Sequence, residues 1–256
     1  MIRLKTKEEI AKLRIAGKKL AKVINETAKL VVPGAKSSDL NSFAHKMIIE
    51  MGCRPSFLNY KPGGARRPFP GSICLSINDE IVHGIPNEEE KIIKAGDVVK
   101  VDVGLVENGL FVDSATTVIV GSTTKEIKEL VNRTKEALNA AIRQCKVGNH
   151  IGDIGATVEK IGDSAGLTVI NELTGHGVGY AVHEDPFVPN FGARGQGERM
   201  ENGLVIAIEP MFSLGSGDII VAKDGHTYKT SDGSFAAQFE HTIAITDDGP
   251  IVLTEI

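Results

Sequence analysis

The chain repeats itself, and that limits its architecture more than any other feature. At an offset of 114 residues Asn25 meets Asn139, Gly34 meets Gly148, Asp39 meets Asp153, Lys46 meets Lys160 and Gly52 meets Gly166. Further along the offset becomes 107 and pairs Gly96 with Gly203; six residues beyond each glycine stands an acid, Asp102 or Glu209. "HGIP" at His83 and "HEDP" at His183 share a His-x-x-Pro pattern. The common order of these identities predicts a duplicated unit, not a solenoid, which needs more repeats. The expectation is one domain over 1–256, with halves of about 1–120 and 121–256 and a site in the cleft between them.

Each half opens with helix signals and turns β-rich later. "TKEEIAKLRIAGKKLAKVI" starts with a capping box, Thr6 to Glu9, and sets Ile10, Leu13, Gly17, Leu20 and Ile24 on one stripe. "TTKEIKELVNRTKEALNAAIRQC" repeats the device with Thr123 and Glu126 as the box and Ile127, Leu130, Val131, Leu138 and Ile142 as the stripe. "SSDLNSFAHKMIIEMG" and "IGDIGATVEKIGDSAG" supply a second helix to each half. "DVVKVDVGLV", "FVDSATTVIV", "GLVIAIEPMF" and "EHTIAIT" are branched runs bounded by turn signals, which predicts strands and an α+β fold.

Several acids stand in unusual places. Asn108-Gly109 is a strong two-residue hairpin signal between the first two strands. Centring the turn there makes Asp102 face Ala115, and puts Asp113 on the same sheet face as its diagonal neighbour. Two readings stay open for this pair: a functional face, or a solvated hairpin face to which Lys100 also belongs. Glu209 lies in "GLVIAIEPMF", apolar on both sides of the pleat, and Glu240 in "AAQFEHTIAI" has a similar context. Glutamate is rarely buried unless it is paired. Four such carboxylates about 5 Å apart would repel by roughly 3 kcal/mol per pair at an effective dielectric near 20. Two divalent cations would cancel that charge, and an oxygen-rich ligand set suits manganese, iron, cobalt or zinc. "TGHGVGYAVHEDP" then offers His176, held between Gly175 and Gly177, as a single nitrogen ligand.

Composition removes other classes. A net charge of −4 argues against a DNA binder, which needs a basic footprint. No apolar run approaches the roughly 20 residues that span a bilayer. The start, "MIRLKTKEEIAKLR", is charged and helix-like, unlike a secretory signal. Cys53, Cys74 and Cys145 lack CxxC spacing and read as reduced, mostly buried thiols of a cytoplasmic protein.

"SINDEIVHGIP", "GDVVKVDVG", "FVDSATT", "TGHGVGYAVHEDP", "IEPMF" and "QFEHT" stand in an order that resembles the type I methionine aminopeptidases, in their short bacterial form. The resemblance covers nearly the whole chain. It implies a pita-bread fold, with an antiparallel sheet covered by helices in two pseudo-symmetric halves that form one catalytic domain. It implies a dinuclear metal site ligated by Asp102, Asp113, His176, Glu209 and Glu240, with Asp113 and Glu240 contacting both ions. His83 and His183 match two histidines of the substrate cleft: His183 for the developing oxyanion, His83 for the scissile amide nitrogen. Glu209 would double as acid-base group. Phe57, Tyr60, Phe69, Cys74, Val182 and His226 take pocket positions for a methionine side chain.

The implied activity removes N-terminal methionine from nascent chains and peptides when the second residue is small. A monomer meeting nascent N-termini, with the ribosome as a candidate partner, completes that expectation. Two rivals share the fold: prolidase-like Xaa-Pro aminopeptidases, which usually carry an extra N-terminal domain, and non-enzymatic peptide binders, which tend to lose ligands. Two features depart from the family pattern. "KPGGARRPF" stands where a very short loop is usual, and His226 stands where tryptophan is common. The loop holds Gly63-Gly64 as a flexible centre between Pro62 and Pro68, and its Lys61, Arg66 and Arg67 suggest electrostatic steering of acidic chains or contact with ribosomal RNA.

Overall fold

A computed structural model of the protein describes residues 1–61, 63 and 65–255. Pro62 and Gly64 of the inserted loop lie outside the described residues. Helix α1 (Lys7–Lys29) begins at the expected capping box: Glu9 N donates to the Thr6 hydroxyl at 3.2 Å, and Thr6 N donates to the Glu9 carboxylate at 2.8 Å. Its apolar stripe is buried as the 3.6-residue period requires. Gly17 belongs to that stripe because the backbone of Leu253 crosses there; a β-carbon would sit 2.1 Å from the Leu253 carbonyl oxygen. Helix α2 (Ser37–Glu50) packs beside it.

In the second half, α3 (Lys125–Ile142) departs from the expected start. Thr124, not Thr123, is the N-cap, with extended backbone and a hydroxyl that accepts from Ile127 N at 3.4 Å. No reciprocal box forms with Glu126. That residue falls in the first turn, where a carboxylate is favoured by the helix dipole. Helix α4 (Ile151–Ala165) ends at Gly166, whose φ of 65° is the left-handed stop that glycine adopts at least cost.

The strands run, in chain order, β1 (Arg54–Pro55), β2 (Cys74–Ile77), β3 (Glu80–Val82), β4 (Val98–Glu107), β5 (Leu110–Ile119), β6 (Thr168–Val169), β7 (Thr174–Gly177) and β8 (Glu184–Pro189). They continue as β9 (Val205–Ile208), β10 (Met211–Ser213), β11 (Ile219–Val221), β12 (Tyr228–Thr230), β13 (Ala236–Gln238), β14 (His241–Thr246) and β15 (Gly249–Val252). All recorded pairings are antiparallel. β4 pairs with β5 along one edge and with β1 and β2 along the other. A second sheet is ordered β15-β14-β9-β7-β8, and two three-stranded sheets are ordered β13-β10-β6 and β11-β12-β3. One apolar cluster joins α1 and α2 to β4 and β5, and another joins α3 and α4 to β9 and β14. The result is the α+β pita-bread arrangement, antiparallel sheet backed by helices.

The β4–β5 hairpin turns at Asn108-Gly109, with φ of 52° and 79°, and its register sets Asp102 against Ala115 and Asp113 against Gly104. Two strand expectations change. "GLVIAIEPMF" is not one strand: β9 and β10 belong to different sheets, and Glu209-Pro210 carries the chain between them. Proline has no N–H to extend a ladder, so the break falls where sequence chemistry permits it. Lys100 does not mark a solvated face. It is 1% exposed, and its ammonium donates to the carbonyls of Asn78 and Ala236 at 2.9 and 3.1 Å, tying β4 to the approaches of β3 and β13.

Candidate metal centre and active site

Five different segments deliver the candidate ligands. Asp102 comes from the middle of β4, Asp113 from β5, His176 from β7, Glu209 from the β9–β10 break and Glu240 from the junction of β13 and β14. Antiparallel pairing brings them together. An isolated bridge of Ala115 with Glu240 fixes β5 to that junction, and His176 stands opposite Ala207 two residues before Glu209. The Thr242 hydroxyl accepts from Asp113 N at 3.0 Å and donates to Asp113 O at 2.7 Å, locking the same seam.

These five residues line one inner cavity of about 70 Å³, together with Phe57, Tyr60, Phe69, Cys74, His83, His183 and His226. Ligand atoms of Asp113, His176 and Glu240 all lie within 4.8 Å of one another. A wider outer cleft of about 490 Å³ meets the cavity at His83, His176, His183 and Glu209. Of the site residues expected from the sequence, all but Val182 line the inner cavity, and Val182 packs in the apolar cluster behind it.

The electrostatics are those of stranded charge. Burial pushes Asp102 up to about 7, and burial with the neighbouring carboxylates pushes Asp113 and Glu240 well above the ordinary range. Glu209 is raised for the same reasons. Among the described residues, one oxygen each of Asp102 and Asp113 is buried without a hydrogen-bond partner. Such orphaned acceptors cost roughly 1–3 kcal/mol each, more when charged. His176 is oriented by a bond of 2.9 Å between its Nδ1 and the Gly177 carbonyl, which requires the hydrogen on Nδ1. Burial lowers its pKa to about 3, so Nε2 is an unprotonated lone pair, and it points at Glu209 Oε1 from 3.7 Å. Two lone pairs facing each other across unpaired carboxylates form a socket for cations. Four carboxylates and one imidazole fit divalent first-row metals.

Other residues hold the ligands. Gln238 donates to Glu209 Oε2 at 3.0 Å, and Asn190 donates to the Glu209 carbonyl at 3.0 Å. Sequence reasoning did not single out either. Gln238 was within reach of it, because it stands two residues before Glu240 in "QFEHT"; Asn190 carries no local signal. Phe57, Phe69, Cys74 and Val182 pack in one apolar cluster with Tyr60 and with Ile85, which lies inside "HGIP" and was also passed over. His226 completes that wall, edge-on to Phe69 at 5.4 Å. His83 adopts a left-handed φ of 56°, unusual for a residue with a side chain, and burial in the cleft pulls its pKa down to about 4. The three thiols are free and buried.

Arg67, near the end of the inserted loop, is pinned. Arg67 makes a two-pronged ion pair with Glu88, its Nη2 at 2.6 Å from Oε2, and donates to the Asp224 carbonyl at 3.1 Å. One of the three charges assigned to steering is therefore spent on structure, and that reading rests on Lys61 and Arg66.

Comparison with known proteins agrees with this geometry. Residues 11–247 match the model of metallopeptidase family M24. The chain belongs to that family. Among M24 relatives, the methionine aminopeptidase of Aquifex aeolicus is 44% identical over 259 residues, covering 100% of this chain and 99% of that one. The crystal structure of methionine aminopeptidase from Thermotoga maritima superposes with a TM-score of 0.95 at 42% identity, each chain covered in full (100%). The fold is also that of the prolidase of Pyrococcus horikoshii, with a TM-score of 0.74 at 23% identity. This chain covers 98% of itself but 63% of that prolidase, a likeness of fold alone.

Proposed function

We propose that the chain is a metallo-exopeptidase that removes the N-terminal methionine of nascent proteins and peptides. The observation that carries this is the convergence of Asp102, Asp113, His176, Glu209 and Glu240 on one buried cavity, in a chain 44% identical over its full length to a methionine aminopeptidase. Those five side chains would hold two divalent cations, of cobalt, manganese, iron or zinc. When bound, such a pair supplies a water ionised near neutral pH and a Lewis acid for the peptide carbonyl.

The remaining work falls to this chain's own residues. The apolar wall of Phe57, Phe69, Cys74 and Val182, with Tyr60 and His226, receives the methionine side chain, since aromatic and sulfur groups suit a thioether. The scissile bond then lies where the inner cavity opens into the outer cleft, beside His83, His183 and Glu209. Glu209, with Oε2 fixed by Gln238, takes a proton at Oε1 and returns it to the leaving amine. His183 donates to the carbonyl oxygen as charge develops on it. His83 contacts the scissile nitrogen. We infer that crowding by His83, His176 and His183 at this junction favours a small second residue.

Further support for two halves acting as one catalytic domain comes from matched backbone. Gly34 and Gly148 have φ of 90° and 94°, Gly52 and Gly166 73° and 65°, and Gly96 and Gly203 94° and 95°. We further propose a cytoplasmic monomer that meets its substrates as they leave the ribosome; among the described residues no helix is long and apolar enough to cross a membrane. The test is a release assay on stripped protein resupplied with each metal. Methionine should be freed from Met-Ala, Met-Gly and Met-Ser peptides far faster than from Met-Leu or Met-Lys. Equal rates across that set would overturn the specificity, and no release with any metal would overturn the activity.

A further inference from the structure

The base of the inserted loop reaches the catalytic centre through one side chain. The Tyr60 hydroxyl lies 2.9 Å from His183 Nδ1, with the two rings tilted at 52° and their centroids 5.4 Å apart. On its other side the His183 ring meets the edge of His176 at 4.4 Å. Among the described residues, the contact with Tyr60 is the only hydrogen bond recorded for the His183 ring.

Tyr60 is itself held firmly. Its N–H donates to Phe57 O, its carbonyl accepts from Phe69 N, and Asn59 N donates to Phe69 O, each at 2.9 Å. Asn59 takes a left-handed φ of 64° to close this clasp. The far side of the loop is clipped by Arg67 to Glu88 and to the Asp224 carbonyl. Tyr60 is thus braced at the base of the loop, with its phenol directed at the His183 ring.

We propose that Tyr60 is a positioning residue, whose hydroxyl donates to His183 Nδ1 and so keeps the imidazole hydrogen on Nε2, aimed at the substrate carbonyl. A neutral imidazole has one donor nitrogen and one acceptor. If Nδ1 carried the hydrogen, Nε2 would present a lone pair to the developing oxyanion and repel it. A ring flipped about its outer bond would turn the donor away altogether. A phenol, protonated at neutral pH, donates without adding charge, and from this place it selects both the tautomer and the ring orientation. The proposal deepens the reading of His183 given above and rests on it.

The test combines kinetics and spectroscopy on Tyr60→Phe, which keeps the aromatic wall of the methionine pocket. The hydrogen bond is worth roughly three- to tenfold in rate, so kcat should fall by that factor with KM for a Met-Ala peptide unchanged. Long-range ¹H–¹⁵N spectra of the histidine rings, in metal-free and zinc-loaded protein, should show His183 as the Nε2–H form with a hydrogen-bonded Nδ1. The His183 signals are assigned by their loss in His183→Ala. In Tyr60→Phe the Nδ1 resonance should move to that of an unbonded imidazole nitrogen. In a double-mutant cycle, Tyr60→Phe should cost nothing further once His183 is alanine. An unchanged His183 spectrum in Tyr60→Phe, or an additive cycle, would overturn the proposal. Normal kcat in His183→Ala would overturn the role of His183 instead, and the spectrum would still decide how Tyr60 holds the ring.

Discussion

At the scale of single residues, the four carboxylates make sense only as a set. Glu240 shares with Asp113 and His176 the tightest group of ligand atoms and is 2% exposed, so no water can replace a missing partner cheaply. Glu240→Ala should abolish dinuclear loading and methionine release together, as read by elemental analysis and assay of the same sample; turnover close to wild type with metal in excess would remove it from the ligand set. His183 should behave differently. It is exposed as a residue, yet protein surrounds most of its ring and burial lowers its pKa. Among the described residues, its recorded hydrogen bond is to Tyr60 and not to a carboxylate. His183→Ala is expected to cut kcat by about two to three orders of magnitude, the usual effect of losing one oxyanion donor, with metal content intact. A fall in bound metal matching the fall in kcat would make His183 a ligand.

At the scale of elements, the helices act as struts for the strands that carry the site. α1 presses its Gly17 face against the backbone at Leu253, near the end of the segment that returns from β14 and β15. A methyl group there would meet the Leu253 carbonyl, and helix propensity would repay about 1 kcal/mol at most. Gly17→Ala is therefore expected to destabilise the fold by about 1–3 kcal/mol, measured by urea unfolding. A gain in stability would mean that α1 can shift away from this contact. The element expectations that failed did so for local reasons. The α3 cap slipped by one residue because two threonines in a row offer equivalent hydroxyls, and the tertiary position of the helix chose between them. The Glu209 run divided because Pro210 ends one ladder and the next residues find partners in another sheet.

At the scale of the whole molecule, the buried acids link stability to pH and to metal. Burial raises their folded-state pKa values, Asp102 to about 7 and Asp113, Glu209 and Glu240 well above the ordinary range. Between the ordinary value near 4 and the raised ones, the metal-free fold binds more protons than the unfolded chain. The stability these groups contribute is fully present below about pH 4 and is lost as pH rises through about 7. Chelated protein should show a falling Tm from pH 5 to 8. A divalent cation at about 100 times its Kd should restore roughly 2.7 kcal/mol at pH 7.5, or about 5–10 °C for a chain of this size. A flat Tm in chelator, with no response to metal, would show that the carboxylates find other counter-charges.

The sequence by itself determined the periodic and local features: the α1 stripe with its Thr6–Glu9 box, the Asn108-Gly109 turn with its register, and the α+β order of elements. It also marked the acids in apolar runs, because a charge that contradicts its surroundings needs a partner wherever the chain goes. Tertiary structure decided what depends on distant chain meeting distant chain. Whether the face carrying Lys100 is solvated stays open in the sequence, and the carbonyls of Asn78 and Ala236 that enclose its ammonium decide it. Asn190 supports Glu209 across a stretch with no motif, and Arg67 gives its charge to Glu88, 21 residues away. Period and turn chemistry are fixed by neighbours along the chain, whereas burial and hydrogen-bond partners are fixed by packing between segments that share no local pattern.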